Sequence, residues 1–162
     1  MQVRPFRDAD WEAFLPTFRE VVAAGESYAY PDDLTSAQAR ALWVEPPPGV
    51  CVVALGSDRA LLGSARAGPN RPGRGAHVAT ASFMVADAAR GQGVGRALGE
   101  WVLRWAREQG YAAMQFNAVV ETNTAAVALW RDLGFEVVGT VPEAFDSASH
   151  GRVGLHVMHR HL

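Results

Sequence analysis

VADAARGQGVGRALGEW, residues 85 to 101, constrains this chain more than any other stretch. An apolar run ends at Val85, glycines follow at 91, 93 and 95, and an amphipathic helical pattern begins at once. A strand that feeds a helix through a glycine-rich turn is a unit of α/β architecture, because glycine adopts backbone angles that other residues resist. Successive amide N–H groups then sit at the start of a helix, where the dipole favours negative charge. Such a turn binds phosphate, and the rest of the sequence has to say which phosphate.

Around this unit the hydrophobic pattern alternates in type. Residues 1–7 read as a strand. Asp8 or Asp10 can cap a helix that Gly25 stops, with Pro16 expected to kink or split it. Thr35 caps a second helix to about Val44. Strands follow at 50–55, 60–67 and 77–85, then a helix from Val94 to Gln109 with Val94, Leu98, Trp101, Val102 and Trp105 on one face. AAMQFNAVV is a strand, TNTAAVALWRDLG a helix, and strands near 135–141 and 152–160 close the chain. The expectation is one domain over residues 1–162: a mixed α/β (α+β) sheet of about seven strands, flanked by about four helices on both faces.

Two phosphate sites are excluded by residue type and spacing. A P-loop needs Lys followed by Ser or Thr, and all fifteen cations of this chain are Arg. A dinucleotide fingerprint needs G-x-G-x-x-G at the start of its domain, whereas here the spacing is G-x-G-x-G with three strands of the run before it.

RGQGVGRAL does resemble the R/Q-G-x-G-x-G/A turn of the GNAT acyltransferases, and NTAAVALWRDLGF, Asn123 to Phe135, resembles a later segment of that family. The resemblance covers the chain from its first strand onward and implies the GNAT fold, an N-acetyltransferase activity and acetyl-CoA as cosubstrate. By match, Arg90, Gly91, Gln92, Gly93, Val94, Gly95 and Arg96 hold the pyrophosphate. Phe83, Met84 and Val85 offer backbone groups to the pantetheine arm, and Asn123 bonds near it as well as capping its helix.

The acceptor end departs from the common pattern. Where many members carry a Tyr as general acid, this chain has Trp130, whose indole N–H donates but does not release a proton. MQFNAVVETNTAAVALW is similar to a branch that contains a yeast azetidine-2-carboxylate N-acetyltransferase, also with Trp in that slot. By that match Asn117, a polar residue expected within a buried strand, orients the amine together with Thr80, which stands where the branch commonly has Asn. Phe83, Trp130, Tyr28 and Tyr30 are expected to line the acceptor pocket. His77 as a base and Glu121 near the cofactor segment are weaker candidates.

The acceptor expected is a small amine, with an amino acid or proline analogue as the lead. A non-catalytic acyl-CoA-binding module and a protein N-terminal acetyltransferase stay open as alternatives. The formal net charge of −2 offers no general field for nucleic acid or anionic membrane. No apolar stretch reaches membrane-span length and no secretory h-region is visible, so a cytoplasmic protein is expected. Cys51, within an apolar run, reads as a buried structural thiol. The C-terminal histidines lack a third ligand at metal-site spacing, so no metal is expected. The family resemblance implies a homodimer, and the all-Arg cation usage points to a GC-rich bacterial genome.

Overall fold

Every strand marked by the hydrophobic runs joins one sheet. The computed structural model describes residues 1–162. In chain order the elements are β1 (Gln2–Pro5), α1 (Asp10–Ala23), α2 (Ser36–Trp43), β2 (Val50–Leu55), β3 (Leu61–Pro69), β4 (Val78–Val85), α3 (Val94–Glu108), β5 (Ala113–Val120), α4 (Thr124–Asp132), β6 (Glu136–Ser147) and β7 (Gly151–His161). The strands lie in the order β1-β2-β3-β4-β5-β7-β6, antiparallel throughout except for β4 beside β5. This is the expected mixed seven-stranded sheet with four helices.

Two cores form, one on each face. Leu98, Val102 and Ala106 of α3 pack with Trp130 of α4 and with Leu133 just after it over one face. Trp11, Phe14 and Phe18 of α1 pack with Trp43 of α2 over the other. Burial of these side chains, about 25 cal/mol per Å² of apolar surface, fixes which residues of each strand point which way.

Three expectations at element ends are corrected. α1 begins without a side-chain cap; Asp10 is its first residue, and its carboxylate accepts from Arg4 at 2.7 Å and from the Arg7 N–H at 2.7 Å instead. Pro16 does not split the helix, which runs unbroken from Asp10 to Ala23. The proline lies on the exposed face, so the carbonyl it fails to serve, that of Glu12, faces water. β6 runs to Ser147 rather than stopping near 141: as an edge strand it carries Pro142 and the left-handed Glu143 (φ 51°) through a register shift between Val141 and Phe145.

One feature of the sheet creates the site. β4 and β5 pair only at Val78–Ala113 and Ala79–Met114. Beyond these residues the ladder stops, and β5 is held by β7 alone, with its own register shift between Phe116 and Val119.

Candidate active site

A cleft of about 980 Å³ opens between β4 and β5, and of the cofactor and acceptor residues expected from the sequence only Gln92 does not line it. The Gln92 side chain turns back to donate to the Ala88 carbonyl at 2.9 Å.

At one end of the cleft, α3 starts on bare amides. Gly91 (φ 74°) and Gly93 (φ 79°) are left-handed, and a Cβ on either would meet nothing within 4 Å. Gly93 is the N-cap of α3 and supplies no side chain to cap it. The N–H groups of Gly93, Val94, Gly95 and Arg96 accordingly take no acceptor from the protein. Gly95 has a different reason to be glycine. It lies inside α3, where a Cβ would come within 3.1 Å of Leu129 of α4, so it serves helix packing. Arg90 and Arg96 flank the turn in exposed pairs with Asp87 and Asp132, each at 3.0 Å. Such pairs are weak, so both guanidiniums can turn to an arriving anion.

Along β4, backbone parity decides which groups reach the cleft. The Asn70 N–H donates to Val78 O and the Ala86 N–H to Leu62 O, so even-numbered residues spend their polar groups on β3. Met84 therefore pairs with Ser64 and buries its side chain in the α1–α2 core, correcting the expectation that its backbone serves a ligand. Phe83 and Val85 turn theirs to the gap. The Phe83 groups are already taken: its N–H donates to the Tyr28 hydroxyl at 2.9 Å and its C=O accepts from the same hydroxyl at 2.7 Å. Burial pushes the Tyr28 phenol well above its ordinary range. Val85 keeps both groups free of protein partners.

Toward the middle, the Asn117 side chain is exposed to the cleft rather than buried, because β5 has parted from β4 by that point. Its amide donates to Asn70 Oδ1 at 2.7 Å and its Oδ1 accepts from Gln115 Nε2 at 2.8 Å. The Thr80 hydroxyl has no protein partner. Trp130 packs against Phe83 and Phe116 at ring distances of 4.6 and 4.8 Å, while its indole N–H takes no protein acceptor and is not enclosed. Tyr30 stacks on Phe18 and Tyr28. Asn123 caps α4 by accepting the Ala126 N–H at 3.2 Å, which leaves its own amide hydrogens free.

His77 and Glu121 lie outside the cleft lining. His77 rests on the Arg74 carbonyl, and Glu121 accepts the Gly154 N–H to brace β5 against β7. Cys51 is buried, which pushes its thiol up to about 11 and leaves it inert as a nucleophile. No three His, Cys, Asp or Glu side chains gather to hold a metal ion.

The structure adds residues that the sequence does not single out. Glu26, from the segment after α1, accepts from the Ser147 hydroxyl at 2.5 Å and from the Ser149 N–H at 2.9 Å. The His150 Nδ1 lies 2.8 Å from the Ser149 hydroxyl, and the Ala148 N–H donates to Gly25 O at 3.0 Å. The β6–β7 turn is thus tied to the loop after α1 at the cleft edge. Arg66 of β3 also lines the cleft. Neither had a sequence signal, since contacts between segments 121 residues apart leave no local pattern.

Comparison with known proteins agrees with this geometry. The model of the acetyltransferase (GNAT) family matches residues 7–135. The N-acetyltransferase aca1 of Schizosaccharomyces pombe is 31% identical over 118 residues, which are 72% of this chain and 56% of that protein, so the chain spans little more than half of that relative. A GCN5-related N-acetyltransferase from Kribbella flavida is 62% identical, with a TM-score of 0.97 over 99% of this chain and 97% of that one. A ribosomal-protein-alanine N-acetyltransferase from Brucella melitensis is 28% identical, with a TM-score of 0.87 and all of both chains covered. A phosphinothricin acetyltransferase from Sinorhizobium meliloti, solved with AcCoA, is 25% identical, with a TM-score of 0.88 over 99% of this chain and 88% of that one.

Proposed function

Since the chain belongs to the acetyltransferase (GNAT) family and is an acyltransferase, we propose that it moves the acetyl group of acetyl-CoA onto the amine of a small molecule. The residues present fit a coenzyme A thioester. Four unpartnered amides at the start of α3, with open space over Gly91 and Gly93, suit a diphosphate. The free N–H and C=O of Val85 suit an amide of the pantetheine arm, and the spare amide hydrogens of Asn123 lie along the same cleft.

Bound acetyl-CoA supplies an acetyl group activated as a thioester. The chain's own contribution is to hold the acceptor nitrogen over it and to meet the charge that develops. Asn117, fixed by Asn70 and Gln115, and Thr80 orient the amine. The amine must be neutral to attack, so its proton leaves to water in the open cleft. A new N–C bond forms as the C–S bond breaks; the Trp130 N–H can donate to the departing thiolate without protonating it, and the proton shed by the acylated nitrogen passes through cleft water to that thiolate. No covalent enzyme intermediate is needed, in keeping with the buried Cys51 thiol.

One observation carries the preference for a small acceptor. The Gly25–Ala148 and Glu26–Ser147 bonds join two segments that contribute Glu26, Ser149 and His150 to the cleft lining, and this tie across the cleft edge favours a small acceptor over a threaded peptide. The resemblance to the azetidine-2-carboxylate branch makes proline analogues the first acceptors to try. The ribosomal-protein-alanine acetyltransferase likeness supports a peptide N-terminus as the second reading.

Thiol release from acetyl-CoA, measured across small amines, amino acids, azetidine-2-carboxylate and a peptide with a free N-terminus, tests the assignment. A thermal shift with acetyl-CoA is expected, since ligand at 100 times Kd adds about 2.7 kcal/mol. Release with the peptide alone would overturn the small-acceptor half, and no shift would overturn the cofactor half.

A further inference from the structure

Arg66 presents an unused recognition edge to the cleft. β3 alternates, so Arg66 shares the α1–α2 face with Ser64, whose hydroxyl accepts from the Trp43 indole at 2.9 Å. Ser82 of β4 lies directly across from Arg66. One nitrogen of the guanidinium, Nη1, donates to Glu45 Oε2 at 2.9 Å, which fixes the plane of the group. The other side of the fork carries Nε–H and Nη2–H in parallel. Nε is enclosed and has no hydrogen-bond partner, the only such buried side-chain atom in the protein. Nη2 takes no protein acceptor either.

An enclosed guanidinium N–H without an acceptor is costly, and native proteins leave few of them. Here the unsatisfied atom belongs to a residue that lines the cleft with its side chain 30% exposed, so a ligand oxygen on Nη2 can also satisfy Nε after a small shift of the side chains that enclose it. Two parallel donors in a rigid plane match the two oxygens of a carboxylate better than any single-oxygen group. Glu45, already in contact with Nη1, holds the fork in orientation and leaves its free edge to the ligand.

We propose that Arg66 binds the carboxylate of the acceptor, so that the substrates are amino acids with a free carboxylate rather than plain amines, amino-acid amides or peptide N-termini. This rests on the small-amine reading of the same cleft. A carboxylate on the Nε–Nη2 edge completes the guanidinium's hydrogen bonding and leaves the ammonium end of the amino acid for the β4–β5 gap. Arg66 is a specificity residue in this scheme, and it takes no part in proton transfer.

The test compares azetidine-2-carboxylate with its carboxamide, and several amino acids with theirs, as acceptors and as ligands of the CoA-loaded protein. Wild type is expected to favour each acid by about tenfold to a hundredfold in kcat/KM, mostly through KM, the range for a bidentate charged contact. Arg66→Gln should bring the acid-to-amide ratio toward one. Arg66→Lys, which keeps charge without the fork, should fall between and stands in should the Gln variant not fold. Acetylation of acids and amides alike by wild type overturns the Arg66 assignment and leaves the small-amine reading intact. Acids that bind in an Arg66-dependent way, with no acceptor acetylated, overturn that reading and support Arg66. Neither preference nor acetylation overturns both.

Discussion

The Tyr28 hydroxyl closes both polar groups of Phe83, accepting its N–H at 2.9 Å and donating to its C=O at 2.7 Å. A side chain from the loop between α1 and α2 thereby does for β4 what a neighbouring strand does elsewhere in the sheet. It acts where β4 has lost β5, and it keeps an otherwise unpaired strand edge satisfied.

Replacing this residue should alter alkaline stability in a defined direction. The folded phenol titrates above the unfolded one, so its contribution is full below about pH 10, where a free Tyr ionises, and is lost as pH rises toward the folded value. Tyr28→Phe should lower stability near neutrality by about 1–3 kcal/mol, the worth of two hydrogen bonds and of leaving Phe83 unpaired. The difference from wild type should shrink between pH 10 and 11. Denaturant melts across that range read both effects, and a constant difference would remove Tyr28 from the linkage.

Gly93 separates backbone strain from ligand binding. At φ 79° any side chain is strained, by about 1–2 kcal/mol, but a Cβ there meets nothing within 4 Å. Gly93→Ala and Gly93→Glu should therefore melt at similar temperatures. Their affinities for acetyl-CoA should differ, because only the Glu variant places an anion beside the four free amides. Calorimetry should find at least a tenfold weaker Kd for Gly93→Glu than for Gly93→Ala, about 1.4 kcal/mol of repulsion.

Trp130 offers a donor without an exchangeable acid. Trp130→Phe keeps a ring against Phe83 and Phe116 but removes the N–H, which has no protein acceptor, from a residue that lines the cleft. If that N–H steadies the departing thiolate, kcat should fall by about tenfold while the KM for acetyl-CoA holds, the loss of one hydrogen bond to a charged group. Trp130→Tyr restores a donor with an exchangeable proton and should recover the rate. A Phe variant with full kcat would leave Trp130 a packing residue.

The cofactor end was legible because it is local. One strand, one turn and one helix carry it in sequence order, and the left-handed angles at Gly91 and Gly93 demand glycine. Even there the third glycine has a second reason that the sequence does not show, since a Cβ at Gly95 would come within 3.1 Å of Leu129 on a later helix. Backbone parity was not legible: Met84 stands between Phe83 and Val85 in sequence yet faces β3, and register decides this. Asn117 was expected in a buried strand because the early end of β4–β5 pairing leaves no mark on either strand's composition. The acceptor end was legible least. Arg66, Glu26 and His150 are ordinary polar residues until folding brings β3, the α1–α2 loop and the β6–β7 turn to one cleft.

Glu26 ties two borders of that cleft together at its edge. Its hydrogen bonds to Ser147 and Ser149, with those to Ser147 largest, hold its carboxyl below the usual carboxylate range. A lowered folded value means the tie is present above the ordinary pKa of Glu and is lost as pH falls through the folded one. Glu26→Gln removes this dependence and weakens both bonds. Amides 148–151 should then exchange faster at neutral pH, whereas wild type should show that increase only on acidification. The KM of the acceptor should rise with the exchange rate, because the same contacts tie the cleft edge. Ser147→Ala keeps the carboxylate and removes only its strongest partner, so it should reproduce the loosening while retaining part of the acid dependence through Ser149. Unchanged exchange in both variants would mean that the Gly25–Ala148 backbone bond alone holds the turn.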